Sequence, residues 1–110
     1  MGKPVIFCGH SRSQLKAFPS SARRVAGFQI DQVQEGHDPD DWKPMSSIGP
    51  GVREIRIRDE AGAFRVIYIA KVAEAVYVLH CFQKKTEKTG KADIDLARKR
   101  YRELQKEVAK

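Results

Sequence analysis

The chain has 110 residues, 32% of them charged and 41% apolar, the balance of a soluble globular protein with one core and not of a disordered tail. No stretch approaches the ~20 apolar residues a membrane span needs, and the apolar run 5–8 is too short for a signal-peptide core, so a cytoplasmic protein is expected. The net charge of +7 is uneven: residues 1–50 carry six Lys/Arg against five Asp/Glu, whereas residues 51–110 carry fifteen against nine, a field that serves solubility or attracts polyanions, most simply nucleic acid.

"KPVIFC", residues 3–8, suits a short strand. Over residues 11–36 the apolar positions Leu15, Phe18, Ala22, Val25, Ala26, Ile30 and Val33 recur every three or four residues, the spacing of one helix face. Pro19 divides this stretch into a short helix and a longer one from about Ser20, because proline disfavours helix just before itself and suits a first turn. Gly36 then ends the second helix. Residues 36–51 hold three glycines and three prolines and read as connection, with Trp42 anchoring it into the core. Beyond residue 51 the period falls to two. "VREIRIRD", "AFRVIYIA" and "AVYVLHCF" are β-branched and aromatic, and the intervening "DEAG" and "KVAE" have hairpin length, so a three-stranded antiparallel meander is expected. Residues 92–109 place Ile94, Ala97, Tyr101, Leu104 and Val108 on one helix face, with Arg98, Lys99, Arg100 and Arg102 on the wet side. The expected fold is α+β and a single domain over 1–110: N-terminal strand and helical hairpin, antiparallel β-meander, C-terminal helix.

Cys8 and Cys81 lie 73 positions apart in apolar runs, neither a zinc spacing nor a disulfide framework, and both are expected reduced and buried. With His10, His37 and His80 scattered one to a segment, no metal site and no cofactor are expected. The chain contains no GxGxxG, GxxxxGK[ST], GxSxG or HExxH.

Alternation puts Val52, Glu54, Arg56 and Arg58 on one face of their strand and Arg53, Ile55 and Ile57 on the other, so Arg56 and Arg58 can hold one phosphate or two neighbouring ones, or simply face solvent. Arg65 interrupts a strand that is otherwise uncharged. It pairs with Glu54, or it waits in a cleft for an anion. His80 is expected on the side of Val76, Val78 and Phe82, as a packed core residue or as an imidazole meeting a phosphate beside Lys84 and Lys85. The polar run "QKKTEKTGK" adds Lys88 to these cations, and Tyr68 and Tyr77 accompany them. Such a set suits metal-free RNA cleavage, in which a 2′-hydroxyl attacks its own phosphate: a base takes the hydroxyl proton, cations neutralise the added charge, and an acid protonates the leaving oxygen.

The phrases "REIRIRDEAGAFRVIYIA", "VYVLHCFQKKTEKTGK" and "DIDLARKRYREL" resemble the phage-derived, HigB-like branch of the RelE/ParE toxin superfamily, over residues 4 to 107. The resemblance implies a toxin of a type II toxin–antitoxin pair that binds the ribosome and cuts messenger RNA, with a helix-turn-helix antitoxin as partner and DNA reached only through it. It implies basic site positions at Arg65, at Arg56 and at Lys84 or Lys85; with the residue pattern above, Arg65 and Lys84 are expected as catalytic cations and Arg56, Arg58, Lys85 and Lys88 as further phosphate ligands. Some members place a tyrosine base after the last strand; residues 83–91 contain none, and His80 is the substitute base. The superfamily also contains gyrase poisons of the same fold, and a non-catalytic basic RNA-binding module is the third reading.

Overall fold

The computed structural model describes residues 2–72, 74–85 and 89–109. The elements run β1 (Val5–Phe7), α1 (Ser11–Lys16), α2 (Ser20–Gln34), β2 (Trp42–Pro44), β3 (Val52–Asp59), β4 (Gly62–Ile69), β5 (Val76–Lys84) and α3 (Lys91–Ala109). They build the expected α+β domain around one five-stranded sheet, ordered β1-β5-β4-β3-β2. The meander β3-β4-β5 is antiparallel throughout, and β1 joins β5 in parallel.

Two layers of side chains explain the arrangement. On one face Ile55, Ile57, Phe64, Val66, Val76 and Val78 pack against Phe18, Ala22, Ala26, Ile30 and Val33 of the helical hairpin. On the other, Val52, Ile67, Ile69, Leu79 and Phe82 pack against Ala97, Tyr101 and Leu104 of α3. A two-residue repeat in the strands and a three-to-four-residue repeat in the helices are what such faces require. The α3 layer covers only part of its face. Among the described residues no helix covers the far ends of β3, β4 and β5, and there the cations stand.

Four details depart from the sequence reading. Residues 42–44, expected as connection, form the edge strand β2 on β3, with Trp42 opposite Ile55 and Pro44 opposite Arg53; a proline is tolerated on an edge strand. Trp42 is half-buried and stacks under the Arg53 guanidinium at 3.9 Å, while Met45 and Ile48 anchor the segment into the core. Val25 and Val108, assigned to buried stripes, are exposed. Arg100, assigned to the wet side of α3, is buried.

Residues 45–49 are bound to α3 by Arg98, whose Nε and Nη2 donate to the Ser47 carbonyl at 3.2 and 2.7 Å. Gly49 lies so close to the Tyr101 ring that a Cβ there would sit 2.3 Å from a ring carbon. An aromatic ring in the core cannot swing aside as a flexible chain would, so Gly49→Ala is expected to cost about 2 kcal/mol through overpacking. Equilibrium urea unfolding measures this; a midpoint unchanged from wild type would show the ring to be freer than the packing implies.

Candidate phosphate-binding groove

β3 and β4 are joined by a tight hairpin in which Asp59 faces Gly62, and this register sets every pair along the ladder. Arg56 stands directly opposite Arg65, and Arg58 opposite Ala63. On the other side of β4, Ala63 faces Lys84 and Arg65 faces Phe82. Partners in a ladder share a face, so Arg56, Arg58, Arg65 and Lys84 come together on the bare end of the sheet. With Lys85 they line a groove of about 680 Å³, floored by Gly62 and Ala63 and bordered by Asp41 and Asp59.

The floor holds an ion pair with unmet hydrogen-bonding capacity. Glu54 is completely buried, its Oε1 3.5 Å from Arg65 Nε and 3.8 Å from Lys43 Nζ, and its Oε2 accepts from the Thr89 hydroxyl at 2.7 Å. The pairing with Glu54 anticipated for Arg65 is therefore present. Yet Glu54 Oε1 and Arg65 Nε both lack a hydrogen-bond partner among the described residues, although Arg65 Nη1 donates to the Phe64 carbonyl at 3.0 Å. The two atoms face each other at 3.5 Å, close enough for an ion pair but too poorly placed for a hydrogen bond. Burial pushes the Arg65 guanidinium below its ordinary pKa; Glu54 opposes this, while Arg56 and Arg58 reinforce it. Lys84 is likewise lowered by desolvation, then by the nearby charges of Arg65, Lys43 and Arg56 against Glu54. Like charges crowded in this way are relieved by an anion.

His80 does not join this groove. The β4–β5 ladder carries an irregularity: Ile67 pairs with His80 but Tyr68 pairs with Val78, so Leu79 is an extra residue on β5. Such a bulge shifts the alternation by one. His80 therefore lies on the α3 side with Phe82, their rings stacked at 4.9 Å, and not with Val76 and Val78. It is buried, with Nε2 2.7 Å from Asp93 Oδ1 and Nδ1 3.1 Å from Gln14 Oε1. This is a corrected placement for the residue expected to be the base: it links α1, β5 and α3. Burial pulls its pKa below the ordinary 6.5, opposed by the hydrogen bond and charge of Asp93 and aided by Arg100. Two acceptors favour the charged ring; loss of water outweighs them.

A histidine more acidic when folded binds protons more readily when unfolded. The stability it confers is thus present above about pH 6.5 and is lost as the pH falls through the lower folded-state value. Urea midpoints are expected to drop with pH in that window, and His80→Gln to remove this component of the slope. An identical pH profile in the variant would assign the titration elsewhere.

The other expected positions resolve simply. Tyr68 is buried against the hairpin helices, on the opposite side of the sheet from the groove, and Tyr77 belongs to the layer under α3. Cys81 is buried, its thiol pushed up to about 12 by desolvation; Cys8 is only half-buried, and both are free thiols. Lys88 lies outside the described residues. Among the described residues no group of three or more His, Cys, Asp or Glu is placed to hold a metal ion, and no helix is long and apolar enough to cross a membrane. The residues missed from sequence are Ala63, which lines the groove, and Thr89, whose hydroxyl donates to the buried Glu54; neither carries a signal of its own in the sequence.

A search of the curated proteins finds no match. Among solved structures, the E. coli toxin RelE in the free state, as a mutant with two arginines replaced by alanine, aligns over 94% of this chain and 99% of its own, with a TM-score of 0.66 and 12% identity. That likeness is one of fold, and it is the fold the resemblance implied. Residues 13–102 match the family described as phage-derived protein Gp49-like (DUF891), and the chain belongs to that family within the RelE/ParE superfamily.

Proposed function

We propose that the protein is the toxin of a type II toxin–antitoxin pair, of the HigB-like kind, acting as a ribosome-dependent endoribonuclease on messenger RNA without a metal ion. One observation carries this reading: four cations from three adjacent strands converge on one groove, beneath which a buried pair has unsatisfied polar atoms. In the proposed reaction Arg65 and Arg56 neutralise the negative charge that develops as the 2′-hydroxyl gives its proton to solvent water and attacks its phosphate. Lys84, its pKa lowered by desolvation and then by its cationic neighbours, donates a proton to the departing oxygen. Lys85 and Arg58 hold the flanking backbone. A helix-turn-helix antitoxin is the partner that would neutralise it.

The burial of His80 favours a second reading. No described imidazole lines the groove, and a protein that only grips a polyanion, or that poisons gyrase through a protein contact, needs none. Induction in a bacterial host separates the three. Arrested translation with messenger RNA cut inside reading frames supports the nuclease. Double-strand DNA breaks with intact messenger RNA support the gyrase poison, and retarded growth with both intact supports the binding module. Reversing Lys84 and Lys85 to Glu is expected to abolish ribosome association; toxicity equal to wild type would remove these two lysines from the site.

A further inference from the structure

At the end of the sheet away from the groove, and on its opposite face, lies a second cationic cavity. The β3–β4 ladder pairs Arg53 with Tyr68, so their side chains share the face that carries the hairpin helices. Helix α2 stops short of covering both: it ends at Gln34, and Gly36, with φ of +88°, turns the chain away. What remains is a cavity of about 170 Å³, lined by Lys3, Gly36, Gly51, Arg53, Tyr68 and Lys71.

Its walls bring more positive charge than they neutralise. The three cations meet one acid, Asp38, whose Oδ1 accepts from Arg53 Nη1 at 2.8 Å. The Arg53 guanidinium also lies 3.9 Å from the centre of the Trp42 ring, so it is held from two sides before any ligand arrives. Lys3 Nζ gives one of its three protons to the Ala70 carbonyl at 2.9 Å, and Lys71 has no ion pair among the described residues. The closing carbonyls of α2 do not compete for these cations. Those of Gln32, Val33 and Gln34 already accept from the amides of His37, Gly36 and Lys3. Tyr68 is buried beside Arg53; burial raises the phenol's pKa and Arg53 opposes the rise, so the hydroxyl stays neutral with a proton to give.

We propose that this cavity binds a compact dianion, a phosphate or a short dicarboxylate, which Lys3, Arg53 and Lys71 neutralise and the Tyr68 hydroxyl orients. Size sets the class. A water takes up about 30 Å³ of the liquid, so the space holds roughly six of them, well below the ~300–1,000 Å³ of sites for larger organic ligands. A ligand seated there touches the segment before β1, the end of α2 and two strands at once. The site is independent of the toxin reading.

The test is titration of the wild type, Tyr68→Phe and Lys71→Gln with inorganic phosphate and, separately, with succinate, followed by amide NMR at constant ionic strength. The amides of Gly36 and Gly51 report the cavity, and that of Gly62 reports the groove. In the wild type, Gly36 and Gly51 are expected to shift and saturate in the millimolar range. Each variant is expected to weaken that saturation roughly tenfold, the worth of one hydrogen bond to a charged group, and to leave the response of Gly62 unchanged. Both substitutions suit the fold, since phenylalanine keeps the buried ring and Lys71 is exposed. Saturation by phosphate alone or by succinate alone supports the site and names its ligand. Shifts at Gly36 and Gly51 that never saturate, or that sodium chloride reproduces, would overturn it. Wild-type saturation in both variants would overturn it as well.

Discussion

Arg65→Ala is expected to abolish toxicity and also to destabilise the protein, and a companion variant separates the two effects. Arg65 is almost fully buried and Glu54 entirely so, with Nε and Oε1 3.5 Å apart. Removing the guanidinium strands a buried carboxylate whose remaining polar neighbours among the described residues are the Thr89 hydroxyl and the more distant Lys43, a loss that typically costs about 3–5 kcal/mol. Loss of a well-placed charge donor also slows a reaction by roughly 10²–10³. A dead Arg65→Ala is therefore ambiguous by itself. Replacing both partners, as Arg65→Met with Glu54→Gln, leaves no uncompensated charge, and the amide oxygen still accepts from Thr89. Stability should return to within about 1 kcal/mol of wild type, since swapping a whole buried pair is far cheaper than breaking one. Activity should not return. The measurements are urea unfolding of the purified variants and pulse-labelled protein synthesis after induction. A stable double variant that still arrests translation would exclude Arg65 from the chemistry and leave the pair a purely structural one.

The groove was readable before any coordinates because strict alternation and a short hairpin determine which residues share a face. Once "VREIRIRD" and "AFRVIYIA" are joined by a tight turn, Arg56 has to meet Arg65 within a residue or so of register. The same rule misplaced His80. A single extra residue at Leu79 inverts the alternation beyond it, and nothing in the run "VYVLHCF" announces a bulge, since every position is compatible with either face. β2 escaped notice for a different reason. Three residues ending in proline carry no period, and they form a strand only because the edge of β3 supplies partners. Arg100 was assigned to solvent by its charge, although the acceptor that draws it inward is a carbonyl displaced by that same bulge. Local pattern thus captured the cationic face, and the errors at His80 and Arg100 trace to one inserted residue whose consequences are tertiary.

Gly9→Ala is expected to unfold the protein at markedly lower denaturant, through a chain of contacts that ends at the bulge. Gly9 has φ of +54°, and a Cβ added there would lie 2.5 Å from Arg100 Nε. Arg100 Nη1 donates to the Leu79 carbonyl at 2.8 Å and to Gln14 Oε1 at 3.2 Å, and Gln14 Oε1 also faces His80 Nδ1. The guanidinium thus satisfies the carbonyl of the extra β5 residue while joining α3 to α1, and the bare backbone of Gly9 is what lets it pass. A methyl group at position 9 costs roughly 1–2 kcal/mol for left-handed backbone alone. It costs a further 1–3 kcal/mol or so for the collision, because Arg100 cannot retreat without orphaning Leu79. The two contributions separate in a double-mutant cycle. In an Arg100→Ala background the obstacle is gone, so Gly9→Ala should cost only the backbone part, leaving a coupling of about 1–3 kcal/mol between the two sites. Additive losses would mean that Arg100 moves aside freely, and the bulge carbonyl would then owe its hydrogen bond to some other donor.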